Sequence, residues 1–563
     1  MIVISDINYG KLGNVQKSKS INIEIKKTIM NINFQNKLII LLKIIITILI
    51  FFGLWNSLVI GGSWDEPFHA ANGIRRLRYL ISFGEYQNYQ YANNQFYPGL
   101  YDTLSSSISY LLYKIYPNFF QNFFFSIKHF INFIFSALSV YGLYSFVKLF
   151  SKNELLALFS SLLTVLNPFF FGHMGINPKD TIIFFSLIWF LYFFYKYISK
   201  EKDLKNLILF SFFVGFGCGI RISFLAIIFP IILFGIFYYV KIFKYSSGDF
   251  LKKKILDIAI SLIIILSLTL LTWPHLHQGN FIILFETLKN SIFWEAGPKL
   301  VLINGIFHET SNTPKNYFLS FLLFKMPIYQ SLLFFISIIL IFLKKDFFKN
   351  YVNEFYKFIF LNLFIILFIV FLTIVMNVKI YDGIRLFLFL IPFFCTICAF
   401  SIIYFFLNFK KSFINFISSG LFIFLLALSL SRFINLSPYQ YTYLNYNFIN
   451  LDKAKNKFEN DYWNTSWKEL INNLPKEING KKLNKFNISI CGGDIDIARY
   501  YLSKKYKRFN ITHPSEADFI IMTNRASFNK NDKRTCFDIY KGQDLFFVKR
   551  ANLILSKFTK INK

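Results

Sequence analysis

Long apolar runs alternate along this chain with short polar loops rich in lysine. The runs fall at about 38–60, 128–149, 154–171, 181–198, 207–222, 223–243, 255–273, 320–343, 358–376, 386–407 and 414–432. Each is close to the roughly 20 residues that a helix needs to cross the hydrocarbon core of a bilayer. The pattern therefore predicts an all-α polytopic membrane protein with about 11 transmembrane helices. The runs at 154–171 and 207–222 are short enough to be tilted hairpin partners. Residues 1–36 are polar, and the first apolar run is too long for the h-region of a cleavable leader. After residue 436 the period changes. FNISIC (486–491), ADFIIMT (517–523) and DLFFVKR (544–550) have the pattern of short strands, and DIDIARYYLSKKY (494–506) has that of a helix.

Loop charge orients the spans. Lys200, Lys202 and Lys205 share one loop; Lys241, Lys244 and Lys252 to Lys254 share the next but one; Lys344, Lys345, Lys349, Lys410 and Lys411 continue the alternation. By the positive-inside tendency these loops face the cytoplasm. The expected division is a cytoplasmic segment (1–36), a transmembrane region (37–436) with outer loops at 61–127 and 273–319, and a small soluble extracytoplasmic α/β domain (437–563).

Composition agrees with this reading. Of 563 residues 55% are hydrophobic, 16% are charged and 76 are Phe. A soluble chain carries about 25% charged residues. The net charge of +31 would suggest a nucleic-acid partner, but the lysines sit between apolar spans, where the membrane accounts for them, and no nucleic acid is expected. Cys218, Cys395 and Cys398 fall within apolar runs, and the Cys395/Cys398 spacing has no second pair to make a metal site. Cys491 and Cys536 lie in the tail, where an oxidising compartment would let them pair.

No acid between residues 37 and 436 falls in mid-span, which argues against an ion-coupled transporter. The acids gather at the interfaces, and six of the seven His lie near the outer one. GGSWDEPFH (61–69) is the densest cluster. Adjacent residues point apart on a helix or strand, so Asp65 and Glu66 are expected to have different partners; the bland alternative is a solvated loop. GHMGINPKD (172–180) places Lys179 and Asp180 at the same depth, where Asp180 could cap the next helix and Lys179 could meet a phosphate. Only 11 of the 61 basic residues are Arg. Arg221 and Arg385 stand where spans reach the outer side, suited to gripping phosphate with a planar fork. The competing reading for Arg385 is an ion pair with Asp382. Arg75, Arg76 and Arg78 suggest a surface helix that binds headgroups. WPHLHQG (273–279) offers Trp273 and His275, too few ligands for a metal.

These segments resemble a known family. WDEPFH just after the first span, NPKD (177–180) and WPHLHQG opening a long outer loop are similar to bacterial members of the protein O-mannosyltransferase-like group (glycosyltransferase family 39) of GT-C membrane glycosyltransferases. YDGIRLFLF (381–389), PYQYTYLN (438–445) and FENDYWNTSWKE (458–469) look like segments of the same proteins. The resemblance implies a GT-C-like catalytic region in a bacterial plasma membrane. It implies an inverting transfer of a sugar from a polyprenyl-phosphate donor to a lipid, glycan or protein acceptor at the outer face, without a cofactor. Asp65 would be the general base and Glu66 its catalytic neighbour. Arg221, Arg385 and Lys179 are the expected donor-phosphate ligands, with His69, Asp180, Trp273 and His275 as further site candidates. The tail lacks the trefoil domain of the eukaryotic enzymes, so protein mannosylation is not implied; the tail is expected to bear on acceptor choice. A lipid-linked saccharide flippase and a non-catalytic accessory protein are the alternatives.

Overall fold

The computed structural model describes residues 15–199, 203–243, 248–293, 297–376, 378–408, 413–445, 456–475, 477–478, 481–482 and 486–561. Lys200, Lys202, Lys244, Lys410 and Lys411, on which the expected orientation partly rests, lie outside them, as do residues 1–14 of the polar leader.

Every apolar run read from the sequence falls on helix. Among the described residues, five helices are long and apolar enough to cross a membrane unaided: Gln35–Val59, Phe124–Ser151, Asp180–Ser199, Phe355–Val375 and Arg385–Asn408. The chain is a multi-pass helical membrane protein. Two of the expected runs are not straight. The 320–343 run breaks into Tyr317–Lys325 and Ile328–Leu343, which meet at 114°. Pro327 causes the break: it drives Met326 out of the helical region, to φ −86° and ψ 133°. The interrupted backbone is satisfied from outside, because Asn445 donates to the carbonyls of Phe324 (2.7 Å, through its backbone N–H) and Met326 (3.2 Å, through its side chain). The 154–171 run divides at Asn167, whose side chain accepts from Phe170 N–H and starts the short helix Pro168–His173.

The helix Arg385–Asn408 lies at the centre, with 94% of its apolar window buried. Small residues let its neighbours approach: Cys398 Sγ contacts the Gln330 carbonyl at 3.2 Å, and Ser401 donates to the Leu333 carbonyl at 3.3 Å. Cys395 and Cys398 are therefore packing residues. In contrast, only 11% of the window of Gln35–Val59 is buried, which puts this helix at the rim facing lipid.

Loop 61–127 is largely helical, with Glu66–Ile81 and Leu100–Ile115 packed together. The headgroup reading of its arginines fails for Arg76. That side chain is fully buried and donates to the carbonyls of Asn94 (2.6 Å), Pro98 (2.9 Å) and Thr272 (2.5 Å).

The tail carries a five-stranded mixed sheet in the order Asn510–Ile511, Asn487–Cys491, Phe519–Thr523, Leu553–Ile561, Gly542–Arg550. The first three strands are parallel and the last two antiparallel to their neighbours. Ile495–Lys505 is the helix read from the sequence. Asn510–Ile511, Leu553–Ile561 and the hairpins Leu300–Ile303/Ile306–Glu309 and Glu477–Ile478/Lys481–Lys482 were not expected. Residues 438–445 and 458–475 join sheet to helices. Gly172 meets the Tyr441 backbone so closely that a Cβ there would lie 2.1 Å from Tyr441 N, which only glycine permits. Cys491 and Cys536 form a disulfide across 45 residues. Non-reducing peptide mapping should recover this pair. Cys536→Ser should lower the thermal stability of the tail by about 2–4 kcal/mol, measured as loss of protection from proteolysis on heating.

Candidate active site

The first span ends at Val59, and the GGS turn reverses the chain before the helix Glu66–Ile81 begins. Asp65 stands at that helix start, with its side chain 29% exposed. Its Oδ2 is 2.7 Å from Arg385 Nη1. Arg385 begins the central helix and is itself 5% exposed. Its other amine lies 3.1 Å from Asp382 Oδ2, and Nη1 is 4.0 Å from Asp180 Oδ2. Arg221, where the helix Leu204–Ile220 ends, approaches Asp180 Oδ1 at 3.7 Å. Asp65, Asp180, Arg221 and Arg385, drawn from four segments, thus form one ion network, and Lys179 adjoins it.

Asp180 is free to join because it does not cap its own helix. The Asn177 side chain takes that role, accepting from Asp180 N–H at 2.8 Å. The capping alternative for Asp180 is corrected accordingly.

Lys179 sits 4.0 Å above the Tyr97 ring. The turn bearing Tyr97 is fixed from behind by Arg76 and by Trp273, whose indole N–H donates to the Gln95 carbonyl at 2.9 Å. Trp273 is fully buried and shapes the site without reaching it. His275 packs edge-on against Tyr89, 5.0 Å between ring centres. His69 is committed to Asp102, at 3.0 and 3.1 Å.

Glu66 points the other way from Asp65, as their adjacency requires. It is 4% exposed, and one oxygen accepts from Ser63 N–H (2.6 Å) and meets His129 Nε2 (2.9 Å). This geometry suits it to holding the turn rather than meeting an acceptor.

The electrostatics favour an ionised Asp65. Burial by itself would raise its carboxyl; Arg385, His69 and Lys179 more than offset that and hold it at about 2. Lys179 is lowered to about 7, first by burial and then by Arg221, against the opposite pull of Asp180 and Asp65.

A cavity of about 290 Å³ opens beside the network. Lys179, Arg221, Lys379 and Tyr97 are among its polar lining; Ile227, Ile369, Leu372, Met376 and Phe389 are among its apolar lining. Cations at the mouth of an apolar groove fit an amphiphile with an anionic head. Among the described residues no group of three His, Cys, Asp or Glu side chains is placed to hold a metal.

The tail also supplies site residues. Arg525 Nη2 lies 3.0 Å from Asp382 Oδ1, and its guanidinium is 4.9 Å from the Trp64 ring centre. Trp463 lies under Arg385 at 4.8 Å, and its carbonyl accepts from Trp64 N–H at 3.2 Å. Arg525 escaped the sequence reading, although the scarcity of Arg that marked Arg221 and Arg385 applies to it equally.

A family model for dolichyl-phosphate-mannose-protein mannosyltransferases matches residues 109–273. This is the group that the sequence motifs resemble, and the matched stretch contains Lys179, Asp180, Arg221 and Trp273. Among solved structures the chain is similar to ArnT from Cupriavidus metallidurans bound to undecaprenyl phosphate, at 9% identity and a TM-score of 0.46, over 92% of this chain and 97% of that one. It is also similar to the oligosaccharyltransferase AglB from Archaeoglobus fulgidus, in complex with an inhibitory peptide and a dolichol-phosphate. There the identity is 11% and the TM-score 0.43, over 86% of this chain and 69% of that one. No curated protein matches the chain in sequence.

The ion pair has a testable pH signature. Asp65 at about 2 lies below the roughly 3.9 of an unfolded Asp. Its stabilisation is therefore complete above about pH 4 and is lost as pH falls toward 2. Arg385→Gln leaves Asp65 without its paired cation, while Asp382 keeps Arg525, and should cost about 3–5 kcal/mol. Thermal unfolding in detergent should show that loss near neutral pH and a smaller one in acid.

Proposed function

We propose that this chain is an inverting glycosyltransferase that moves a sugar from a polyprenyl-phosphate donor to an acceptor hydroxyl at the outer face of the plasma membrane. The N-terminus is then cytoplasmic and the tail extracytoplasmic. The observation that carries the reading is a partly exposed Asp65 in one ion network with Arg385 and Arg221, beside a cavity lined by cations and by a run of apolar side chains. The match over residues 109–273 supports the same class.

In this reading the polyprenyl chain lies along the apolar wall and the phosphate meets Arg221, Lys179 and Arg385. The acceptor oxygen attacks the anomeric carbon as the carbon–oxygen bond to phosphate breaks. The electron pair leaves with the phosphate, and the acceptor proton passes to Asp65. A phosphate leaving group needs no proton, so one base suffices, and the cations stabilise the charge that the phosphate gains.

At about 2, Asp65 is a weak base while Arg385 neutralises it. A donor phosphate that engages Arg385 competes for the same guanidinium and raises the basicity of Asp65. The base is then strongest when a donor is in place, which limits idle deprotonation of acceptors. Asp382 and Arg525 keep Arg385 oriented during that exchange.

The direct test is turnover of radiolabelled polyprenyl-phosphate sugar in membranes bearing the chain. Asp65→Asn keeps the shape and removes the proton acceptor. It should lower turnover by about 10²–10⁴-fold while donor binding is retained or tightened, because Arg385 loses a competing carboxylate. A variant that retains most of its transfer activity would show that the base lies elsewhere. Glu66→Gln should act chiefly on stability, leaving the acceptor KM nearly unchanged.

Lys179 adds a second expectation. With its amine at about 7, it is charged below that pH and neutral above it. A bound phosphate favours the charged form, so donor affinity should weaken as pH rises past 7. In Lys179→Met the affinity should be lower and this limb absent, as read by donor-analogue binding across neutral pH.

A further inference from the structure

A second hollow of about 540 Å³ lies on the far side of the GGS turn from Asp65. Its apolar wall comes from Leu58, Leu112, Phe119, Phe123 and Phe130, and Phe119, Phe123 and Phe130 are 56%, 49% and 43% exposed. These residues sit where the first span ends and where the Phe124–Ser151 span begins. The hollow is therefore at the boundary between hydrocarbon and water, on the side that carries Asp65.

Two lysines stand over it from the tail. Lys468 Nζ donates to the carbonyls of Leu58, Val59 and Ile60, at 3.3, 2.6 and 3.3 Å, among them the last orphan carbonyls of the first helix. Lys504 Nζ donates to the Asn122 carbonyl at 2.5 Å and to the Tyr500 hydroxyl at 2.7 Å. Neither ammonium pairs with a carboxylate among the described residues. The acid next in sequence, Glu469, is taken by Arg550 at 2.6 Å. The two ammoniums repel each other: burial and then Lys504 lower Lys468 to about 8. Capping of helix carbonyls accounts for each lysine singly, Lys468 at the end of the first span and Lys504 at the end of Pro117–Asn122. It does not explain why two cations without a carboxylate stand side by side, or why an exposed aromatic hollow lies beneath both.

We infer that this hollow is a binding site for an anionic phospholipid of the outer leaflet, held by its acyl chains on the Phe119–Phe130 wall and by its phosphate at Lys468 and Lys504. The charge arrangement selects the occupant: an apolar body with one anionic head at the interface satisfies both halves, and a neutral lipid leaves the lysines uncompensated. The floor of the hollow gives the lipid a consequence. Phe125 packs against Gly62, and the Tyr501 hydroxyl accepts from Gly62 N–H at 2.8 Å. A lipid here braces, from behind, the turn that presents Asp65. It also ties the tail helix Ile495–Lys505 to the first span. The inference rests on the multi-pass fold and not on the transfer chemistry.

The test is native mass spectrometry of the full chain with added phosphatidylglycerol or phosphatidylcholine. Phosphatidylglycerol should be retained preferentially. At about 1 kcal/mol per lysine, Lys504→Gln should reduce that preference about fivefold and the Lys468→Gln/Lys504→Gln pair about thirtyfold. Should the double variant fold poorly, Lys504→Gln alone and a Phe119→Trp probe carry the test. Brominated phosphatidylglycerol should quench that tryptophan more than brominated phosphatidylcholine does. Equal retention of the two lipids, or an unchanged preference in Lys504→Gln, would overturn the proposal. So would transfer of radiolabelled sugar onto the phosphatidylglycerol, because the hollow would then hold an acceptor and not a resident lipid.

Discussion

A single guanidinium organises one end of the helical assembly. Arg385 lies at the end of the most buried helix, and three carboxylates converge on it, two from sequence-distant segments. A charge so nearly removed from water is costly unless its partners are held in place. Much of the surrounding structure serves that end. Asp65 is fixed by the turn after the first span, Asp180 by the Asn177 cap and Asp382 by Arg525. Trp463 and Tyr381 cover the guanidinium faces at 4.8 and 5.3 Å.

The network also makes the tail part of the site. Were the sheet an independent unit on a tether, Asp382 would keep Arg385 but lose Arg525, and Trp64 would lose both the Trp463 carbonyl and the Arg525 guanidinium that hold it. The helices supply the cavity and its apolar wall, and the tail supplies Arg525 and Trp463 to the ion network beside it. The segment from Gly61 to Asp65 is constrained both by the ion network at Asp65 and by the Phe125 and Tyr501 packing at Gly62.

The adjacent acids show how a local rule sorts chemistry. Asp65 and Glu66 are one residue apart and face opposite ways, one toward cations and a cavity, the other into a dry pocket with His129. Sequence adjacency required different partners but did not say which acid would meet which. That depended on where the Phe124–Ser151 and Arg385–Asn408 helices packed, decisions made more than 60 and 300 residues away.

The sequence by itself determined the helical membrane class, the place of each apolar run, three of the five strands of the tail sheet and its helix, and the grouping of Asp65, Lys179, Asp180, Arg221 and Arg385 at one end of the spans. These follow from period, length and charge, which act locally and survive without knowledge of the fold. Tertiary structure alone decided the bend at Pro327, the burial of Arg76, the structural posts of His69, His275 and Trp273, and the entry of Arg525 into the network. Each of these depends on what packs against a residue from a distant segment. A Pro in an apolar run marks a possible break, but only the Asn445 side chain and backbone, reaching in from beyond the last span, make the opened carbonyls affordable in a dry interior.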